Sequence, residues 1–366
     1  MSEAADSFAE ELVALAGAHG VARELLEPSL PLWRARAVEP GAALARGGKR
    51  ATAATLVLEG ELVIRAGRHE IGRLRAGDFA GLSTCIIKNG TWPASLVGGR
   101  RARVAELADS ALFGLRKAHD PLYAALLELE LNGLLQRVQQ VDDKIASLRA
   151  GTFPPMSRQP QSIFTRLWRT LRPQASEGCP PLEPLLRELP GLRAAPAELV
   201  STLAAAFRPR MAREKEVVAL EGEAGGSLLL IAGGQCDVLR NTADGSASLM
   251  LARLDRGALF DVAALMRRGP RDKSLVATSD AALYEMPAQA FDELAAQPRR
   301  ALLESLAVMV HRQVRAAIRS LVAAIEVFES HTIENPGQLS EQSLVLMMTA
   351  QGQLAGGRAR KDPEGE

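Results

Sequence analysis

The chain has 366 residues, 47% hydrophobic and 24% charged, and its 44 basic and 43 acidic residues leave a formal charge of +1. That length holds two domains of ordinary size, and that composition belongs to a globular rather than a disordered chain. A charge so close to zero excludes a global footprint for nucleic acid or an anionic membrane surface.

The opening MSEAAD is acidic and lacks the basic and apolar regions of a signal peptide. No uncharged apolar run reaches the length of a membrane-spanning helix, about 18 residues or more, so a cytoplasmic protein with no integral membrane segment is expected. Cys85, Cys179 and Cys236 are too scattered for a disulfide framework or a metal cluster.

Residues 7–25 place Leu12, Leu15 and Val21 on one side of a helix, which caps the first strand-rich unit. Short runs rich in Val, Ile and Leu then fill residues 41–115. The clearest is 55–64, where Gly60 marks a turn, bulge or close backbone approach. Many short strands with glycine-rich turns predict an antiparallel barrel or jelly roll. After Pro121, the residues Leu127, Leu131, Leu134, Val138, Val141, Ile145 and Leu148 recur in steps of 4 and 3, the period of a coiled-coil seam. The seam predicts pairing with a long helix, either of a second subunit or later in the chain.

Residues 151–178 carry Pro154, Pro155, Pro160 and Pro173 and read as a linker. Within it an amphipathic stretch at 163–171, with Leu167 and Trp168, covers apolar surface or docks on it. Residues 182–207 predict helical pieces broken near Pro190 and Pro196. A second strand-rich unit follows at 208–286. From Phe291 a second long helix sets Leu303, Ala307, Val310, Val314, Ala317, Leu321, Ala324 and Phe328 again at steps of 4 and 3. Its alanines allow close helix approach but bury less area than leucine. Residues 352–366 predict a disordered tail, and the basic stretches 99–103 and 267–273 read as solvated loops.

The two strand-rich units repeat one another. PGAALARG at 40–47, TLVLEGELVI at 55–64 and LRAGDF at 74–79 are followed by VVALEG at 217–222, SLLLIAGGQCDVL at 227–239 and LDRGALF at 254–260. A repeat of this kind folds as two similar cores. The expected division is a helical cap at 1–33, a first domain with its long helix at 34–150, a Pro-rich linker at 151–180, a second domain with its long helix at 181–330, and a C-terminal segment and tail at 331–366.

Each unit resembles the cyclic-nucleotide-binding domain of the catabolite-activator family of bacterial regulators and of kinase regulatory subunits. The resemblance rests on the early turn at Gly41 or Lys215, the strand after it, Gly60 or Gly234, and the glycine at Gly77 or Gly257 ahead of a Phe. Asp244-Gly245 supplies a hairpin turn in the second copy. The implied fold is mainly β with long helices: two antiparallel jelly-roll domains, each followed by a long packing helix. In that family a phosphate-binding cassette begins Phe-Gly-Glu-Leu and ends Arg-Ser/Thr-Ala. Its short helix N-terminus and its arginine hold the cyclic phosphate, and its glutamate receives the ribose hydroxyl.

Both copies depart from that pattern. The second reads Phe260-Asp261-Val262-Ala263, so Val262 stands at the glutamate position and Asp261 brings a carboxylate toward the phosphate. Arg271 falls at the arginine position, with Arg267 and Arg268 as alternative anion partners; the plainer reading pairs Arg271 with Asp272 or another neighbour. The first copy reads Phe79-Ala80-Gly81-Leu82 and ends Thr91-Trp92-Pro93-Ala94-Ser95, with no arginine. Trp92 reads as core filling rather than a stacking platform, and Lys88 as a turn residue. An unpaired hydroxyl or phosphate in a closed pocket costs about 1–3 kcal/mol or more. Family-type nucleotide affinity is therefore not expected in the first copy, and at most half of the contacts remain in the second.

Only 38 residues follow Phe328, too few for the winged helix-turn-helix of the activator family, so DNA recognition is not expected. His19, His69, His119, His311 and His331 form no metal-ligand spacing, and no nucleophile elbow, phosphate loop or paired carboxylates mark an enzyme. His311 reads as a partly buried surface histidine. The leading expectation is a non-enzymatic regulatory or scaffold protein that assembles as a homo-oligomer through its long helices and contacts a protein partner, with no cofactor. The alternative is a sensor of a cyclic mono- or dinucleotide bound in the second domain.

Overall fold

The computed structural model describes residues 3–150, 156–157, 178–241 and 247–334. The strands of the first unit are β1 (Trp33–Val38), β2 (Ala43–Ala45), β3 (Ala53–Glu59), β4 (Glu61–Ala66), β5 (His69–Arg75), β6 (Phe79–Ala80), β7 (Ser95–Gly98) and β8 (Ala102–Ala108). They form two antiparallel sheets, ordered β1-β8-β3-β6 and β2-β7-β4-β5. After β9 (Met156–Ser157), the second unit supplies β10 (Arg208–Ala212), β11 (Val217–Ala219), β12 (Ser227–Gly233), β13 (Cys236–Asn241), β14 (Ala247–Leu254), β15 (Leu259–Phe260), β16 (Ser274–Ala277) and β17 (Ala281–Pro287). Its sheets run β10-β17-β12-β15 and β11-β16-β13-β14-β9. Strand for strand this is the first order again, extended by β9 on the β14 edge. Two jelly-roll-like sandwiches therefore stand in tandem, as the repeat predicts.

The glycines that carried the repeat explain why both copies fold alike. Gly60 and Gly234 take φ of 76° and 75° between β3 and β4 and between β12 and β13. A β-carbon there would run into the carbonyls of Arg101 and Asp280. Only glycine accepts both the left-handed backbone and the close approach. The turn residues Asp244 and Gly245 lie outside the described residues, as do the stretch 163–171 and the tail.

Three helical expectations are refined. The N-terminal helix is Glu3–Ala18, which stops at the left-handed Gly20 before a short turn of helix at Arg23–Leu26. Residues 182–207 hold two pieces, Leu182–Glu188 and Ala197–Ala205, as the prolines predict. The second long helix does not start at Phe291: that residue belongs to a short helix, Ala288–Asp292, and the long one is Ala296–Glu334.

The first long helix, Pro121–Ala150, packs along the second within the same chain. Leu127, Leu131, Leu134, Val141 and Ile145 of the first seam are buried, as are Leu303, Ala307, Val310, Val314, Leu321 and Phe328 of the second. The pairing that the heptads left open is thus intramolecular. The faces that suggested self-assembly are consumed inside the chain, so the seams themselves no longer argue for a homo-oligomer.

Candidate functional site

Each cassette has its short helix after a two-residue strand: Leu82–Ile86 after β6, and Val262–Arg267 after β15. The residue before each helix has a left-handed backbone, Gly81 at φ 103° and Asp261 at φ 72°. That kink turns the first amides of the helix inward, where an anion would be held.

In the second unit the cassette arginine is engaged by the protein itself. The carboxylate of Asp261, with its side chain 1% exposed, is paired to Arg271, whose side chain is 11% exposed. Arg271 also donates to Ser227 Oγ at 3.1 Å. Phe260 and Val262 are buried, so the glutamate position is filled by a side chain that accepts no hydrogen bond. The plainer sequence reading of Arg271 was close, with the partner ten residues back rather than the adjacent Asp272.

The other basic residues of this segment are drawn elsewhere. Arg268 makes a bidentate contact with Asp292 at 2.7 Å to each oxygen. Arg267 reaches the first long helix, donating to Asn132 O at 3.1 Å and Gln139 Oε1 at 3.2 Å. Lys273 meets Asp142 of the same helix at 2.5 Å, in a setting where both side chains are nearly buried. The stretch 267–273 is therefore a docking loop against the first long helix and not the solvated loop its composition suggests. A run of basic residues gives no hint of carboxylates and carbonyls that arrive from about 130 positions away in sequence.

In the first unit the inward amides meet a carboxylate from the first long helix. Glu130, 1% exposed, accepts from Gly81 N at 2.8 Å, Ser83 N at 2.5 Å and Ser83 Oγ at 3.1 Å. Burial pushes its pKa up, and the amides, the hydroxyl and Arg137 work against that rise. Arg137 holds the Phe79 carbonyl at 2.9 Å. On the other side, Ser83 Oγ lies 3.1 Å and Thr84 Oγ1 3.5 Å from Nδ1 of His311, which the second long helix delivers. His311 is 4% exposed, so the surface histidine expected from sequence is a core residue that fastens the second long helix to the first cassette. Desolvation, then Arg315, Arg137 and Arg312, lower its pKa to about 4.

These groups surround a cavity of about 50 Å³ walled by Ile71, Trp92, Leu134, Val141, Val314 and Ile318 among others. Ordinary small-molecule pockets measure about 300–1,000 Å³. Trp92, 9% exposed, packs over Gly81 as core, in keeping with its sequence reading. Neither Glu130 nor His311 was legible beforehand, since they sit 47 and 228 positions from Ser83.

Chemistry of other kinds finds little support in the described residues. Burial pushes the thiols of Cys85 and Cys236 up to about 12 and about 11, too high for a nucleophile at neutral pH. No group of three or more His, Cys, Asp or Glu side chains that could hold a metal ion occurs among the described residues. No described helix is long and apolar enough to cross a membrane.

Residues 209–298 match the family model of the cyclic nucleotide-binding domain. No curated protein sequence matches the chain. Among solved structures, the regulatory domain of Toxoplasma gondii PKA with cAMP is 14% identical, with 82% of this chain and 96% of that one covered and a TM-score of 0.30. The regulatory subunit of a cAMP-independent protein kinase A from Trypanosoma cruzi, bound to guanosine, is 12% identical over 80% of this chain and 84% of that one, at 0.28. The N-terminal domain of a transcriptional regulator from Streptomyces coelicolor A3(2) is 22% identical over 38% and 94%, at 0.29. Such scores carry no conclusion about ligand or partner; the strand order and the matched segment carry the fold.

Proposed function

Two domains of the cyclic nucleotide-binding fold stand in tandem here, and we propose that they form a non-enzymatic regulatory protein whose first domain takes no cyclic nucleotide. The observation behind this reading is the first pocket, reduced to about 50 Å³ by side chains of both long helices. The chain then acts through contacts with other proteins, as a scaffold or regulatory subunit. Calorimetric titration of the full chain with a panel of cyclic mono- and dinucleotides is the test. No saturable binding at the first domain is expected; heat that survives Arg271→Ala and is lost on enlarging Leu96 or Val314 to Trp would place a ligand there and sink the reading.

A second reading has one specific observation in its favour. Arg271 is held by an ion pair with Asp261, a partner that an incoming anion can displace, and it lies inside the segment matching the family. In this reading the second domain senses a nucleotide by trading Asp261 for a phosphate. Asp261→Gly removes the competing carboxylate from the arginine and suits the left-handed backbone at φ 72°. That variant should bind a cyclic nucleotide more tightly than wild type, and Arg271→Ala on top should abolish the gain. An Asp261→Gly protein with no calorimetric response removes the sensor reading.

A further inference from the structure

Glu130 is an unusual resident for its place. A buried carboxylate loses its hydration and ordinarily needs a cationic partner or several donors to remain. Here the donors come from the opposite element, two backbone amides and a hydroxyl on the first cassette, and they converge on both carboxylate oxygens. Ser83 itself is 0% exposed, so solvent does not compete for its hydroxyl. One proton arrangement makes both contacts of Ser83 Oγ hydrogen bonds: Nδ1–H of His311 donates to Ser83 Oγ, whose proton goes to Glu130 Oε1. The carboxylate thereby orders the cassette, and through Ser83 the second long helix as well.

We propose that the first domain contains a carboxylate-binding site whose ligand is built in: the side chain of Glu130 occupies an anion seat made by Gly81 N–H, Ser83 N–H and Ser83 Oγ. The seat holds the cassette and both long helices together with nothing taken from solution. This rests on the reading that the first domain takes no cyclic nucleotide, and goes beyond it by naming what fills the site and what chemical class the vacated site accepts. Among small anions acetate matches best, because it restores the atoms that Glu130→Ala deletes: its methyl for Cγ, its carboxylate for Cδ and the two oxygens.

The test is chemical rescue of full-length Glu130→Ala. Thermal unfolding is followed in sodium acetate and in sodium chloride of equal ionic strength, with bulky pivalate as a size control. The variant should melt well below wild type in chloride, recover most of the loss with saturating acetate, and gain less from pivalate, while wild type responds equally to all three salts. Amide exchange across residues 79–86 should rise in the variant and fall back with acetate. Wild-type stability in Glu130→Ala, or an acetate effect no larger than that of chloride, overturns the proposal. Recovery of folded variant only from acetate-containing buffer supports it, and recovery from neither buffer counts against it. Cyclic-nucleotide binding to the first domain of wild type would sink the functional reading and leave the acetate result intact, so the two failures are distinguishable.

Discussion

A single side chain such as His311 shows how function-bearing contacts can be invisible in sequence. On its own helix it stands beside the seam, and the periodicity assigns it to the edge of a packing face; only the fold reveals that it points into another domain's cassette. Its titration gives a signed prediction. The folded pKa of about 4 lies below the ordinary value of 6.5, so the unfolded chain binds the proton more readily in between. Stability is therefore full above about pH 6.5 and falls as pH drops toward 4, by about 3 kcal/mol for this shift. Facing it are Ser83 and Thr84 from the cassette, Glu130 and Arg137 from the first long helix, and Arg312 and Arg315 from its own. Glu130, with its pKa raised, contributes the opposite slope, which is why the comparison must be with His311→Gln rather than with wild type alone. Urea titrations at about pH 7 and about pH 4.5 should show a smaller acid-induced loss for His311→Gln; equal losses would mean the imidazole titrates normally. Arg271 was the more legible residue, because its spacing from Phe260 follows a known pattern. Its partner was not: Asp261 reads in sequence only as a carboxylate that would repel a phosphate, and the pairing it makes with Arg271 needs the fold to bring the two ends of the cassette together.

At the scale of elements the sequence carried most of the fold. Glycine positions and apolar runs located the strands in both copies, since each glycine answers a steric demand that recurs with the topology. The heptads located both long helices and their buried faces. They did not say which helix pairs with which, because a period of about 3.5 residues specifies a stripe and not its partner. The alanines do distinguish the second helix from an ordinary leucine seam. Ala307 is fully buried on the seam of the second helix, so a larger side chain must displace packed neighbours. Ala307→Leu should therefore destabilise by about 1–3 kcal/mol despite its greater hydrophobicity. Chemical denaturation measures it, and a neutral or stabilising result would show slack in the helix pair. The start of that helix was misplaced for a local reason: Leu294 and Ala295 fall in a break between two helices whose apolar spacing nearly continues across it.

For the whole molecule, the decisive feature is that the second long helix belongs to one domain by sequence and to both by packing. Glu304 makes a bidentate contact with Arg116 of the first domain at 3.1 and 2.6 Å, His311 reaches Ser83, and Glu329 meets Arg68 on the β4–β5 hairpin at 2.5 Å. In return the second cassette grips the first long helix through Arg267 and Lys273. One continuous apolar cluster runs from Leu12 through both helices to Leu228 and Leu230, while a smaller one, with Ile231 and Leu283, stays inside the second sandwich. Tandem domains joined by a linker commonly move and melt apart. This packing predicts the reverse, a single cooperative unit. Leu283→Ala opens a cavity only in the smaller cluster and should cost about 2–5 kcal/mol. If the domains unfold together, the slowest-exchanging amides of β3 and β8 in the first domain lose the same protection as those of β12 and β17 in the second. First-domain amides that keep wild-type protection while the second domain's fall would show two independent bodies. Common loss would mean that whatever binds either domain is felt by both.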